Sequence, residues 1–448
     1  MEEVFRQTLG QWSPNGKYLA GAQQNRLQIR EPDSMKLLQV FICIDKVERI
    51  QWSPDSQFLL TEVARQGLLQ VWSMRDAEWS CRIYEGPAGI ASARWINGET
   101  VLVTTEFQLY LSLWQLDGST EAGSVAQIQR PKFGNRGVAL SRDQCWLAVL
   151  RRLDCKDRLG IYNCEERYAR LTDAVLPGDA ANLAWGPDDN TILVWEMPGP
   201  TPWCYVYSLA GECLAKMGDI LQRGVVPSPS MQLLAGCGID RRLQLLSTVS
   251  KKVLASLPHD LAVAMSECEA GDEVFFWEED FQDGQLCYRR QEAATLEEHL
   301  VPEALDAEGI PRQGVTLAVW SPDDRFLATK HESFPSVVWV WDLGRLVLAA
   351  LLRHRAHVRA VAWDPLAQAE RSRLAISTGD PVLFLWSAGS KPSAGACALS
   401  GARLRWRPDG RSVLLQEKDR CCTCRMGVAA LGENVAARAR LAVSCMRR

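Results

Sequence analysis

The residues of this chain best suited to holding a metal are five histidines, His259, His299, His331, His354 and His357, and fifteen cysteines. A zinc centre needs about four such ligands converging on one point. His354 and His357 lie close together but lack further ligands at a suitable spacing. Cys421, Cys422 and Cys424 are clustered, yet neighbours along a strand point to opposite faces, so only Cys422 and Cys424 would share one. The chain has no GxxxxGK phosphate loop and no GxSxG nucleophile elbow. Gly236-Cys237-Gly238 suits a turn better than a phosphate cradle. Asp55, Asp143, Asp188, Asp323 and Asp409 recur at equivalent places in a repeated turn, and an active site is normally unique whereas a turn residue recurs. The expectation is a protein without enzymatic activity, metal or cofactor. An enzyme built on such a repeat would need acids or histidines from several repeat units converging on one point.

One charged run breaks the repeating pattern: Arg151-Arg152-Leu153-Asp154-Cys155-Lys156-Asp157-Arg158. It joins two strands of one unit. It reads either as a solvated hairpin loop or as a protein contact at a rim, in which Arg151, Arg152, Asp154, Lys156, Asp157 and Arg158 are the candidate partner-binding residues. On the solvated reading, Asp157→Ala costs no more than about 0.5 kcal/mol. Arg241, Arg242 and the arginines of 403–411 add positive surface but have no stacking platform among them, which makes nucleic acid a minor option.

The elements that position these residues are read from a repeat. Residues 313–343 contain an alternating strand around Val315, Leu317 and Val319, the turn Ser321-Pro322-Asp323-Asp324, a second strand from Phe326, and a third from Val337 to Trp341. The turn recurs at positions 12, 52, 95, about 140, 185, 226, 320, 363 and 406, spaced by about forty to forty-five residues apart from one gap. That is the period of WD-type propeller blades. A third-strand signature keeps the same phase, at Val71-Trp72, Leu113-Trp114, Val340-Trp341 and Leu385-Trp386 among others. The structural repeat residues are Trp12, Trp52, Trp72, Trp114, Trp185, Trp320, Trp341, Trp363, Trp386 and Trp406. A blade buries its two apolar faces only against neighbouring blades.

The predicted fold is therefore all-β: a WD-type β-propeller, one enlarged ring of about nine repeat units with an acidic excursion. Units one to six occupy 1–258, the excursion or a degenerate blade 259–312, units seven to nine 313–430, and a closing strand or basic tail 431–448. Residues 3–8 are expected to close the ring beside strands of the C-terminal unit. A pair of small rings is the alternative.

The chain of 448 residues has a formal charge of −4 and 47% hydrophobic residues, which supports a full globular core. No run of eighteen apolar residues occurs, so no membrane insertion is expected. The start, MEEVFRQTLG, lacks the basic and apolar regions of a signal peptide, which predicts a cytosolic or nuclear location. A reducing compartment disfavours disulfides; Cys43, Cys145, Cys204 and Cys237 each lie singly in apolar stretches and read as buried thiols. The segment 259–312 holds fifteen acids and three bases, −12, leaving +8 for the remainder. Within it, Val274–Trp277 and Leu286–Tyr288 read as two strands that extend unit six or form a degenerate blade, and Ala293–Leu300 as a short helix. Phe275, Phe276 and Trp277 are expected to anchor one edge of the excursion to a neighbouring blade while 292–308 stays solvated.

Several stretches go beyond a generic repeat: Leu69-Gln70-Val71-Trp72-Ser73, Glu78-Trp79, Glu85-Gly86 with Ala88-Gly89, Thr104-Thr105-Glu106-Phe107, Asp154-Cys155-Lys156-Asp157, and Phe326 to Asp342. In these, over about residues 4–425, the chain resembles the WD repeat-containing protein eight family of centriolar-satellite and spindle-pole proteins. The resemblance implies a non-enzymatic scaffold of the cytoplasm and cytoskeleton, at centrosomes, centriolar satellites or spindle poles. It implies a coiled-coil centrosomal partner related to synovial-sarcoma-X-interacting protein, an indirect link to microtubules or a minus-end motor, and roles in minus-end anchoring, spindle assembly and ciliogenesis. It transfers no catalytic or binding residue. The alternative is an adaptor subunit of a translation, RNA-processing or ubiquitin-ligase assembly.

Overall fold

A computed structural model describes residues 4–5, 9–63, 66–116, 123–198, 202–218, 224–238, 241–260, 274–282, 285–291, 314–366, 372–401 and 403–426. The chain divides into two compact units, Gln7–Asp219 and Met1–Arg6 with Ile220–Arg448. The first holds five four-stranded antiparallel sheets, each made of four consecutive strands. The second holds three four-stranded sheets and one of six strands. This is an all-β, WD-type β-propeller fold with nine blades among the described residues, in agreement with the repeat read from the sequence.

The repeated turn is held by its own side chains. In blade two, Ser53 Oγ donates to Asp55 Oδ1 (2.5 Å), the Gln57 N–H donates to the same carboxylate (3.1 Å), and the Phe58 N–H donates to Ser53 Oγ (2.9 Å). Blade seven repeats this with Ser321, Asp323, Arg325 and Phe326, and blade four with Ser141, Asp143, Cys145 and Trp146. The bond from Ser141, followed by that from the Cys145 backbone, holds the Asp143 carboxyl below its usual range. These aspartates stabilise turns, because a short carboxylate satisfies backbone donors that no strand partner reaches.

The tryptophan that opens each turn joins neighbouring blades. Trp52 Nε1 donates to Gln11 O (3.2 Å), Trp95 to Gln51 O (3.2 Å) and Trp185 to Ala139 O (2.9 Å) within the first unit. Trp320, Trp363 and Trp406 donate likewise to Val226 O, Val319 O and Ala362 O in the second. Each ring is buried except that of Trp95, which is half-buried, so each N–H must find an acceptor, and the preceding blade's first strand supplies one. The third strands of blades two and seven, Leu68–Ser73 and Val337–Asp342, are buried on both faces. Fourth strands lie at the edges of the four-stranded sheets, and a register shift between third and fourth strands occurs in blade seven at Val340/Trp341 and in blade four at Ile161/Tyr162; such bulges increase local twist.

The N-terminal strand Val4–Phe5 pairs with Cys421–Arg425 and completes the C-terminal sheet, as expected for residues 3–8. The acidic segment contributes the strands Phe275–Gln282 and Gln285–Gln291. They extend blade seven and not blade six: Phe275–Glu278 pairs in parallel with Ala350–Arg353 of its fourth strand. Phe276 and Trp277 are buried there, so the expected aromatic anchor is present. The expected helix at 293–300 and the closing strand or tail at 431–448 lie outside the described residues.

Candidate functional site

The charged run 151–158 lies in the first unit, on the hairpin of Trp146–Leu153 and Lys156–Asn163 in blade four. Its turn is only Asp154-Cys155, both at positive φ (52° and 59°), the backbone that a two-residue hairpin loop requires. The run is therefore mostly strand, with Arg151 opposite Arg158 and Arg152 opposite Asp157. Arg152, Asp154 and Lys156 are exposed. Arg151 and Asp157 are buried, and Arg158 is intermediate. The solvated-loop reading thus holds for only part of the run.

The buried members are neutralised by residues that sequence reasoning missed. Lys132 Nζ lies 2.5 Å from Asp157 Oδ2 and 2.5 Å from Asp179 Oδ1, and it also donates to the Ala180 carbonyl. The Ala180 N–H donates to Asp157 Oδ2 (2.8 Å). Arg152 reaches Asp157 and Asp179, both at 3.6 Å. On the other side, Arg151 donates to Gln129 O (2.9 Å) and pairs with Asp173 (3.0 Å), which Arg158 (3.2 Å) and Arg170 (3.7 Å) also reach. Buried charges persist only when paired and hydrogen-bonded. The outward residues of the hairpin are thus carried on a rigid ionic base. Lys132 pulls the Asp179 carboxyl below its usual range, chiefly through its hydrogen bond.

The histidines and several cysteines have a common structural explanation. Cys43, Glu85, His259, His354 and Cys397 each directly follow a fourth strand, and each reaches into the next blade. His259 Nε2 lies 2.7 Å from Thr329 Oγ1, to which Trp341 Nε1 also donates (3.1 Å). Cys43 Sγ lies 3.9 Å from Thr61 Oγ1, which accepts from Trp72 Nε1 (3.1 Å). Glu85 accepts from Trp114 Nε1 (2.6 Å) and from Ser112 Oγ. His354 packs edge-on against Phe384, and Cys397 Sγ lies 3.6 Å from Cys424 Sγ. Burial lowers the imidazole pKa of both His259 and His354 to about 3, so both are neutral packing groups near neutral pH.

Among the described residues, no group of three or more His, Cys, Asp or Glu is arranged to hold a metal ion. The described cysteines are free thiols; Cys43, Cys204 and Cys237 are buried, whereas Cys145 sits half-buried before its strand. Among the described residues no helix is long and apolar enough to cross a membrane.

The fold and these relays define a WD-repeat propeller protein of the scaffold type. No protein-family profile matches the chain. It is 32% identical over 445 residues to the mouse WD repeat-containing protein WRAP73, covering 93% of both chains. It is 22% identical over 371 residues to an uncharacterized WD repeat-containing protein of Schizosaccharomyces pombe, covering 78% of this chain and 73% of that one. The chain belongs to the WRAP73 family of WD-repeat proteins, which bears out the resemblance read from its motifs. A solved structure titled as that of the eukaryotic initiation factor matches 87% of this chain and 88% of its own with a TM-score of 0.55 at 13% identity. That likeness is one of fold alone.

Proposed function

We propose that this chain is a non-enzymatic scaffold at centrosomes, centriolar satellites or spindle poles, binding a coiled-coil protein related to synovial-sarcoma-X-interacting protein. It supports microtubule minus-end anchoring, spindle assembly and ciliogenesis. The observation that carries this reading is the 32% identity to a WRAP73 protein, extending over 93% of each chain. The build of the molecule supports it, because its buried histidines and turn aspartates are committed to packing and leave a rigid frame for protein contacts. In the first unit the outward hairpin residues Arg152, Asp154 and Lys156 contribute to the partner surface, while Arg151, Asp157 and Arg158 hold it in place.

Proximity labelling from the full-length chain, followed by affinity purification, tests this. Enrichment of pericentriolar and minus-end proteins together with the coiled-coil partner is expected. Recovery of translation or RNA-processing complexes without centrosomal material would overturn the reading in favour of an adaptor in another assembly.

A further inference from the structure

The most exposed large apolar side chain among the described residues is Phe107, at 87%, on the loop between the second and third strands of blade three. It is no frayed tip. Phe107 and Gln108 both occupy left-handed backbone (φ 56° and 54°), a conformation that costs a bulky residue energy unless its surroundings impose it. The neck of the loop does so. The buried Thr105 donates from its N–H and its hydroxyl to the Tyr110 carbonyl (3.2 and 2.9 Å), and its Oγ1 accepts from the Tyr110 N–H (3.1 Å). Gln108 N–H closes back onto Thr105 O (3.3 Å). Glu106 lies across Gly89, where an added Cβ would stand 2.8 Å from its carboxyl carbon. The structure therefore holds an aromatic ring in water on a braced loop.

Next to it the surface turns basic. Leu109, 50% exposed, accepts at its carbonyl from the Arg130 N–H (2.9 Å), and the Arg130 carbonyl accepts from the Arg152 N–H (3.1 Å). These bonds set Leu109, Arg130 and Arg152 side by side, with Phe107 two residues before Leu109 on its loop and Lys156 at the tip of the hairpin that carries Arg152. Arg130 and Lys156 are exposed and make no ion pair among the described residues, whereas Arg152 is already engaged by Asp157 and Asp179. Glu106, beside Phe107 on the same loop, is exposed and packs its side chain across Gly89. Two apolar anchors beside unpaired cations match a helix with an apolar stripe flanked by acids.

We propose that the Phe107 loop and Arg130 form a docking surface for an acidic amphipathic helix of the partner, with Phe107 as the buried anchor and Arg130 and Lys156 pairing with its carboxylates. This rests on the scaffold reading above and names the chemistry of its partner. The charge pattern favours a protein helix over a lipid surface or nucleic acid, which become outcomes of the test.

The probe is a synthetic peptide of roughly three heptads with leucine at the a and d positions and glutamate beside them, compared with a matched lysine peptide by fluorescence anisotropy on the full-length chain. The acidic peptide should bind and the lysine peptide should not. Phe107→Ser should weaken binding by at least about tenfold, as loss of an aromatic anchor does, with Phe107→Leu retaining most of it and the thermal midpoint unchanged. Arg130→Glu with Lys156→Glu should reverse the preference between peptides and invert the salt dependence of acidic-peptide binding. Equal affinity for the two peptides, or unchanged binding by a folded Phe107→Ser chain, would overturn the inference. So would photo-crosslinking from a benzoylphenylalanine placed at position 107 in cells if it captured lipid or nucleic acid. If Phe107→Ser leaves peptide binding intact while proximity labelling still recovers centrosomal proteins, only the docking surface fails. If the intact chain labels no centrosomal material, the scaffold reading fails by itself.

Discussion

The hairpins of blade four and blade seven are both dense in charge, and they handle it in opposite ways. In blade four, cations and anions interleave along one run, in which Arg151 and Asp157 are buried while Arg152 and Lys156 are exposed. Charges from two connections, Lys132 and Asp179, and from the blade's own fourth strand, Asp173, complete the pairs. In blade seven, the acids lie on one strand and the bases largely on the next, with Glu278 opposite Arg289 and Trp277 opposite Arg290. Its attachment is apolar: Phe276 and Trp277 are buried against the fourth strand, while Glu278 reaches Arg353 at 3.5 Å. Only Glu279 is buried among these acids, and there the Arg355 N–H donates to it (3.0 Å). Beside this hairpin, a cavity of about 370 Å³ opens between Glu279, Arg289, Arg353 and Arg355. The contrast shows that charge density in a sequence does not locate a residue in water. Location follows from whether other connections bring opposite charges within reach.

The strongest way to break the comparison is at Asp157. Asp157→Ala leaves the Lys132 ammonium, whose side chain is 4% exposed, without its most buried partner and should cost about 3–5 kcal/mol, as removal of one member of a buried pair does. Urea denaturation reads this directly. A loss within about 0.5 kcal/mol would restore the solvated-loop reading. Replacing Lys132 and Asp157 together by Met and Leu should recover most of the loss, because no unpaired charge then remains.

Blade seven and its neighbours predict a pH effect of intermediate size. His259 and His354 have folded pKa values of about 3, below the usual imidazole value of about 6.5. The unfolded chain therefore binds more protons between these values, and stability falls as pH drops below about 6.5. Lowering the pH from about 7 to 5.5 should cost about 2–3 kcal/mol for the two together, from about 1.4 kcal/mol per pH unit each. Burial raises the Glu279 carboxyl, so its contribution runs the other way: it is present at low pH and lost as pH rises through its folded value. Thermal midpoints of the intact chain and of a His259→Gln, His354→Gln variant test this. An equally steep pH dependence in the variant would place the titration elsewhere.

The smallest effect sharpens the division within the blade-four hairpin. Arg152 is half exposed, and its contacts with Asp157 and Asp179 are long, at 3.6 Å. Arg152→Ala should change stability by no more than about 0.5 kcal/mol, the scale of an exposed ion pair. A loss comparable to that at Asp157 would make Arg152 part of the ionic base and remove it from the outward surface.

The repeat was legible in the sequence because it rests on local and periodic chemistry. A serine two residues before an aspartate closes a turn wherever it occurs, as at Ser53-Asp55 and Ser321-Asp323. A tryptophan at the start of that turn, recurring every forty-odd residues, meets the backbone of the preceding blade each time. The apolar run Val274–Trp277 likewise announced a strand with an aromatic anchor. What the sequence could not supply was partnership over long separations. Lys132 and Asp157 are 25 residues apart and Ser230 and Asp324 are 94 apart, with nothing periodic linking either pair. The acidic hairpin pairs with a fourth strand about 75 residues further along the chain, which follows it only after the first three strands of the same blade. Local pattern determined that the chain folds as a series of blades. Only tertiary packing decided which charges are buried, which fourth strand the excursion joins, and which loop holds a phenylalanine out in water, because burial and pairing depend on neighbours that the fold alone brings together.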